Sequence, residues 1–492
     1  MTAHDLYLLA PPIALAGVGG LVVLLDLVTR RTGLVAAVSL LGLLLPAAFA
    51  LALWGDVNTG GAMAGVFDTL VVDKFALFFQ FLVLAVVALV ILGAADYVAR
   101  FQRYKGEFYA LVLFSALGMM LLAAATELVS MYISLELTSL PLAALAAFLR
   151  DERSTEAGLK FLLLSAMSSA LLLYGMVLVY GYTGSTQLGE IAQAVAAGGQ
   201  PFGSPAVLAG GVLIAAGFGF KIAMFPFQMW TPDVYEGAPT PVTAYLSVAS
   251  KAAGFAVLLR LFSTAFGAVS LDWGMLFAVL SALSMTVGNL MAMGQSNIKR
   301  LLAYSTIAHA GYILVGVAAM AVREPAGSEG LGLSSVLFYL GAYAATNLAA
   351  FFAVIAITNR TGNDQVDGFA GMGKKAPVVS AVLAFSLVSL IGIPPTAGFM
   401  GKLYLFNAAV RADLVWLALV GVVNSAVSAY YYLRVVKALY VSSSESRATV
   451  PSSPAVRLAL GVSGLGVLFL GIFPAPLLGL AEAAVATLLS LR

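Results

Sequence analysis

The chain has 492 residues, of which 61% are hydrophobic and 10% carry a full charge, with a mean hydropathy of +1.00. Soluble domains carry about a quarter charged residues, so this composition excludes an ordinary soluble enzyme and describes a membrane protein. The net charge of +2, from 25 basic and 23 acidic residues, suggests neither nucleic-acid binding nor an acidic surface, and the absence of cysteine excludes disulfides, thiolate chemistry and Fe–S clusters held by this chain.

In chain order, the first apolar run, Leu6 to Val28, has no basic stretch before it and no small-residue cleavage site after it, so it reads as a retained span. Further runs follow at 33–54, 75–95, 108–125, 128–149, 159–182, 206–229, 242–266, 273–293, 301–322, 334–357, 377–410, 414–438 and 456–488. These runs lack period-2 alternation, which argues against a β-barrel and for an all-α polytopic protein with about fourteen spans. The twelfth is too long for one unbroken helix, and the last is long enough to include a short amphipathic tail. The longest connectors, near 55–74, 183–205, 358–376 and 439–455, are too short to fold alone.

Loops after odd-numbered spans hold fifteen Lys and Arg, among them Arg30, Arg100, Arg103, Arg360 and Arg447. The opposite side holds four: Lys74, Arg323, Arg411 and Arg492. Cytoplasmic loops are the basic ones, so both termini are expected outside, in a bacterium on the outer side of the cell inner membrane.

Six basic residues, Lys160, Lys221, Lys251, Arg260, Lys402 and Arg434, fall within apolar segments, and so does Glu136. Arg260 and Arg434 lie near span ends and read as anchors whose long stems reach the headgroups. Lys160 is two residues into its expected span, which leaves headgroup anchoring and function both open. Glu136, Lys221 and Lys251 are each eight or nine residues from a span end, about 12 Å into the hydrocarbon. A charge at that depth costs about 2.5–3.5 kcal/mol even on a lenient scale, so an interaction or a function must hold it there. Three deep lysines, Lys402 included, face one deep carboxylate, so pairing within the chain leaves cations over. An unpaired buried lysine can shed its proton near neutral pH, which suits a proton carrier.

Two spans carry breaks beside these lysines. Pro226 lies five residues after Lys221, and Pro394, Pro395 and Gly398 precede Lys402. Backbone freed by proline at membrane depth is tolerated where protein or water satisfies it, and broken helices in two halves of a chain point to an ion path. Lys402, expected in the first turn of the second half-helix, would meet the positive end of that helix, which disfavours its charged form. An interfacial lysine reaching the surface is the other reading of this position. His309, beside Tyr304, Ser305 and Thr306, is either a packing residue or a relay.

The run Phe220-Lys-Ile-Ala-Met-Phe-Pro-Phe-Gln-Met-Trp-Thr-Pro-Asp-Val-Tyr-Glu-Gly-Ala-Pro-Thr-Pro-Val-Thr243 resembles the signature of the antiporter-like subunits of respiratory complex I. The run Asn289 to Tyr312 is similar to the family's second long motif, and the likeness extends from span 4 to span 13. Pro232 to Pro239, Ser247 to Gly254, the lack of a long lateral helix after span 14, and lysine rather than glutamate at position 402 resemble the N type within that family. Gln228 departs from the histidine expected there.

The resemblance implies fourteen helices with two inverted five-helix repeats, at 106–267 and 268–440, flanked by helices 1–3 at 1–105 and helix 14 at 441–492, with helices 7 and 12 broken. It implies that Glu136 modulates Lys221, that Lys251 passes a proton inward through polar groups such as His309, and that Lys402 is the terminal site. It implies a proton-translocating membrane subunit of an NADH-quinone oxidoreductase. The expected partners are other membrane subunits (an antiporter-like M type and small K, A, J and H types), a redox arm and the lipid bilayer. FMN, Fe–S clusters and quinone are expected in those partner subunits, with no cofactor in this chain, which lacks a Gly-rich nucleotide-binding unit. An Mrp-type cation/proton antiporter subunit shares the same scaffold, and a passive scaffold is a third possibility.

Overall fold

The computed structural model describes residues 2–29, 31–101, 104–197, 205–267, 270–321, 330–442 and 453–490. Arg30, Arg103, Arg323, Arg447 and Arg492, counted in the loop charges above, lie outside the described residues. Hydrocarbon offers no hydrogen-bonding partner to backbone, so each apolar run closes on itself as a helix. The first seven are α1 (Ala10–Val28), α2 (Gly33–Gly60), α3 (Lys74–Val98), α4 (Lys105–Ala124), α5 (Leu128–Ala146), α6 (Glu152–Thr183) and α7 (Pro205–Ile222). Then come α8 (Thr240–Thr264), α9 (Ser270–Met293), α10 (Ile298–Ala321), α11 (Leu331–Thr361), α12 (Pro377–Ile391), α13 (Ala397–Arg411), α14 (Val415–Tyr440), α15 (Pro454–Ile472) and α16 (Ala475–Leu489).

Thirteen helices among the described residues are long and apolar enough to cross a bilayer alone. The remaining expected span is the broken one, divided into the 15-residue helices α12 and α13. The last expected span is also divided, by Phe473 and Pro474, and its second part is no free tail: α16 packs against α3 and α11. A short hairpin missed by the hydropathy pattern, Met63–Gly65 with Leu70–Val72, joins α2 to α3 and bridges through Leu70 to Ala125.

Local signals set the ends. Asp73, Asp151 and Thr396 accept from backbone N–H groups in the first turns of α3, α6 and α13. Gly184 and Gly362, at φ 73° and 64°, end α6 and α11 in the left-handed conformation. Within the bundle, Gly288 and Gly311 bring α9 and α10 together so closely that a Cβ would sit 2.6 Å from the backbone nitrogens of Ala308 and Met285.

The centre is built from α8, α10 and α11, whose most apolar windows are 100%, 94% and 89% buried, whereas α2 and α15 at 28% form the rim. The Asn297–Gln365 bridge and the Arg100 bond to the Asn359 carbonyl put the loops after α3, α9 and α11 on one face, here the basic face, whereas the Leu70–Ala125 and Glu127–Gln187 bridges and the Val66 bond to Asp5 put those after α2, α4 and α6 with Asp5 on the other, the terminal face.

Candidate functional site: a row of buried cations

The row begins on α5, where Glu136 and Ser139 are three residues apart and so share a helix face. Lys221, in the last turn of α7, donates from Nζ to Ser139 Oγ at 2.9 Å and lies 5.9 Å from the Phe161 ring centre. Glu136, half-buried, accepts from Ser169 Oγ of α6. Among the described residues no ion pair within 4.0 Å joins Glu136 to Lys221; each is held by its own serine.

Lys221 leans on α8. A Cβ on Gly254 would sit 3.3 Å from Lys221 Cγ, and Gly254 follows Lys251 by three residues. Lys251 stands directly after a π-helical segment, Leu246–Ser250, a local widening common at functional sites. It is 1% exposed, and its Nζ donates to the Thr306 carbonyl at 2.6 Å. The Thr306 hydroxyl accepts from Tyr343 at 3.1 Å.

Three residues on along α10, His309 is enclosed by aromatic hydroxyls. Its Nδ1 lies 2.6 Å from the Tyr339 hydroxyl and its Nε2 3.3 Å from that of Tyr432, which in turn pairs with Ser305. Tyr312 lies on the far side of the ring, with centroids 5.5 Å apart. Beyond it, Lys402 Nζ lies 4.2 Å from the Tyr312 ring centre and donates to Ser425 Oγ at 2.8 Å; Ser425 is 3.4 Å from the Tyr312 hydroxyl.

Lys402 also donates to the carbonyls of Leu390 and Ile391, both at 2.9 Å. This corrects the sequence reading of its surroundings. Lys402 is the sixth residue of α13, past the first turn, and its side chain reaches back to the carboxyl end of α12. The helix end that it meets carries partial negative charge, which favours the ammonium form and offsets part of its burial. Lys402 is 4% exposed, so it is no interfacial residue. In spans 7 and 12, then, a lysine meets the carboxyl end of the first half-helix, Lys221 by its place in the last turn of α7 and Lys402 by the reach of its side chain.

The structure brings Glu136, Lys221, Lys251, His309 and Lys402 into this row, and leaves Lys160 outside it. The helix α6 starts at Glu152, seven residues before the expected start, which puts Lys160 in its third turn at the basic face. There Lys160 is 41% exposed and pairs with Glu156 at 2.6 Å and Asp233 at 2.8 Å. Asp233 and Glu236, on the short helix Thr231–Gly237, also bind Arg300 at 2.7 and 2.9 Å. Partial burial works to raise the Asp233 carboxyl, but the hydrogen bonds from Lys160 and Arg300 outweigh it and hold it below the usual carboxylate range. Lys299, counted among the loop charges, is buried and donates to the carbonyls of Glu236 and Ala238 at 2.6 and 2.8 Å. Gln228 is partly buried, and its Oε1 has no hydrogen-bond partner among the described residues.

Arg260 is no headgroup anchor. Arg260 is 1% exposed and forms a two-pronged ion pair with Asp73, which is fully buried, with both N–O distances 2.9 Å. Its Nε donates to the Ala123 carbonyl, so three helices are joined at the terminal face. Arg434 donates to the carbonyls of Met293 and Gln295 and closes the end of α9. The two-pronged pairing of its guanidinium with a buried carboxylate explains why Arg260 stays inside.

The family described as NADH:quinone oxidoreductase/Mrp antiporter, TM, matches residues 125–428. A protein of Dehalococcoides mccartyi, "NADH-quinone oxidoreductase subunit N", is 44% identical over 474 residues, covering 94% of this chain and 96% of the relative. The chain belongs to the NADH-quinone oxidoreductase subunit N family. A second subunit N, from Moorella thermoacetica, is 45% identical over 480 residues, covering 96% and 97% of the two chains. A chain of respiratory complex I from Thermus thermophilus superposes with a TM-score of 0.79 at 35% identity, covering 95% of this chain and 98% of that one. A chain of the Mrp complex from Dietzia sp. superposes with a TM-score of 0.84 at 23% identity over 99% and 98% of the chains, a likeness of fold alone. The matched span contains all five members of the buried row.

Proposed function

We propose that this subunit N carries protons along the row Glu136, Lys221, Lys251, His309 and Lys402, as a membrane subunit of a proton-translocating NADH-quinone oxidoreductase. Its partners are the other membrane subunits and the redox arm of that complex, and the NADH, FMN, Fe–S and quinone chemistry belongs to those partners. It spans the cell inner membrane many times, with the basic face cytoplasmic and both termini outside. The observation that carries the reading is how the three lysines are held. Lys221 bonds a hydroxyl, Lys251 a carbonyl, and Lys402 two carbonyls and a hydroxyl; none has a carboxylate within 4.0 Å among the described residues.

A structural ion pair would give each buried cation a counter-charge, as Asp73 does for Arg260. Neutral acceptors satisfy an ammonium without fixing its charge, so these lysines can give up a proton and keep a hydrogen-bond partner. Glu136 supplies negative charge near Lys221 without neutralising it by contact. His309, between Tyr339 and Tyr432, can take a proton on one nitrogen and release it from the other. Lys402 receives it at the far end, beside Ser425 and Tyr312.

The test uses the assembled complex in vesicles. Lys221→Ala and Lys251→Ala should each lower proton pumping and the coupled quinone reduction severalfold while assembly persists, because removing an uncompensated buried cation relieves insertion cost. Normal pumping in either variant removes that residue from the path. Loss of Na⁺ exchange with intact proton pumping would instead favour antiporter chemistry.

A further inference from the structure

An apolar crevice of about 340 Å³ opens on the side of the bundle away from the lysine row, lined by Leu51 and Trp54 of α2, Phe78 and Leu82 of α3, Gly341 of α11 and Leu480 of α16, among others. It runs inward from the terminal face. Lys74, the first residue of α3, stands at its mouth with Nζ 5.9 Å from the centre of the Trp54 ring, and no carboxylate lies within 4.0 Å of it among the described residues. From Lys74 to Leu82 the helix descends about 12 Å, most of the roughly 15 Å of hydrocarbon in one leaflet.

We propose that this crevice is a phospholipid site, with one acyl chain in the groove and the phosphate at Lys74. Three features select that occupant. The groove ends within one leaflet, whereas a spanning partner helix would need a track of about 30 Å. A helix about 10 Å across would fill roughly 900 Å³ over the same depth, more than the 770 Å³ or so of non-atom space in the crevice even with its open mouth included, while an acyl chain is thin enough to enter. The mouth pairs a cation with tryptophan, the combination that suits the headgroup level. The nearby carboxylates do not oppose it: Asp56 and Glu482 lie two residues from Trp54 and Leu480, on the far sides of their helices, and Asp56 is bonded to Tyr7.

The position ties the lipid to the proton row. Gly341 is two residues from both Tyr339 and Tyr343, about 200° around α11 from each. A chain seated on Gly341 therefore backs the helix whose opposite face presents hydroxyls to His309 and Thr306. A Cβ at Gly341 would meet Leu477 at 2.8 Å, so the groove floor is formed by close contact of α11 with α16.

The experiment places the intact complex in vesicles containing phosphatidylglycerol or phosphatidylcholine with a photoactivatable group on the acyl chain, and maps adducts by mass spectrometry. Adducts are expected at Leu51–Trp54 and Leu477–Leu480, about fivefold more with the anionic lipid, the preference one interfacial lysine supplies. Lys74→Gln should abolish that preference. Leu480→Trp, at a residue 47% exposed and so tolerant of size, should fill the groove and remove the adducts; Leu51→Trp, at 65% exposure, provides a second filling variant. Absence of adducts at these segments, equal labelling by the two lipids, or a protein cross-link from a neighbouring subunit in their place would each overturn the proposal.

Discussion

The Asp73–Arg260 pair permits a prediction of known sign and size. Each carboxylate oxygen lies 2.9 Å from a guanidinium nitrogen, both side chains are 1% exposed or less, and Asp73 Oδ1 also accepts from Ala76 N at 2.7 Å, starting α3. Asp73→Asn keeps that cap and removes the charge, leaving Arg260 buried without compensation. Such half-broken pairs cost about 3–5 kcal/mol, roughly 150- to 4,000-fold in the folding equilibrium. Asp73→Ala should cost about 1 kcal/mol more, for the lost cap. Asp73→Asn with Arg260→Met removes both charges and keeps apolar volume, so most of the loss should be recovered. Thermal retention of the subunit in the solubilised complex, followed on native gels, gives the ranking. A headgroup-anchored arginine would tolerate Asp73→Asn within about 1 kcal/mol, and that outcome, or a double variant no better than the single one, refutes the buried-pair reasoning.

Other substitutions test the row and the topology. Glu136→Gln should slow pumping and change its pH profile, because it removes the negative charge near Lys221; an unchanged profile counts against their coupling. Ser139→Ala should alter the pH dependence of pumping while leaving assembly intact, since it strips Lys221 of the side-chain hydroxyl that accepts from its ammonium; a wild-type profile would make that serine dispensable. For sidedness, cysteines at exposed Thr59 and Gln365 should react with an impermeant thiol reagent from opposite sides, against a background free of native cysteine. Labelling of both positions from the same side would overturn the span count.

Physical cost determined what could be read from the chain alone. A lysine nine residues inside an apolar run is expensive wherever the helix lands, so Lys221 and Lys251 stood out, and proline beside Lys221 and Lys402 marked the breaks. The tyrosines around His309 were hidden because tyrosine in an apolar helix reads as core; only the four-residue spacing of Tyr339 and Tyr343 hinted at a shared face. Arg260 was misread because its partner is 187 residues away and Asp73 closes a loop, which leaves the arginine looking like an ordinary span-end cation. For Lys402, spacing after Gly398 correctly located the half-helix, but the carbonyls that it meets depend on how α12 and α13 fold across the break, a tertiary fact with no local signature.

The central claim is that the buried lysines take up and release protons, and Lys402→Arg tests it most directly. Arginine retains the positive charge and can still donate to the α12 carbonyls, but it does not deprotonate in proteins. Proton translocation per quinone reduced should be measured in vesicles bearing wild-type, Lys402→Arg and Lys402→Ala complexes, with assembly confirmed for each. The account predicts that arginine impairs pumping nearly as much as alanine. Wild-type pumping in the arginine variant would contradict it and leave Lys402 a fixed charge at a helix end.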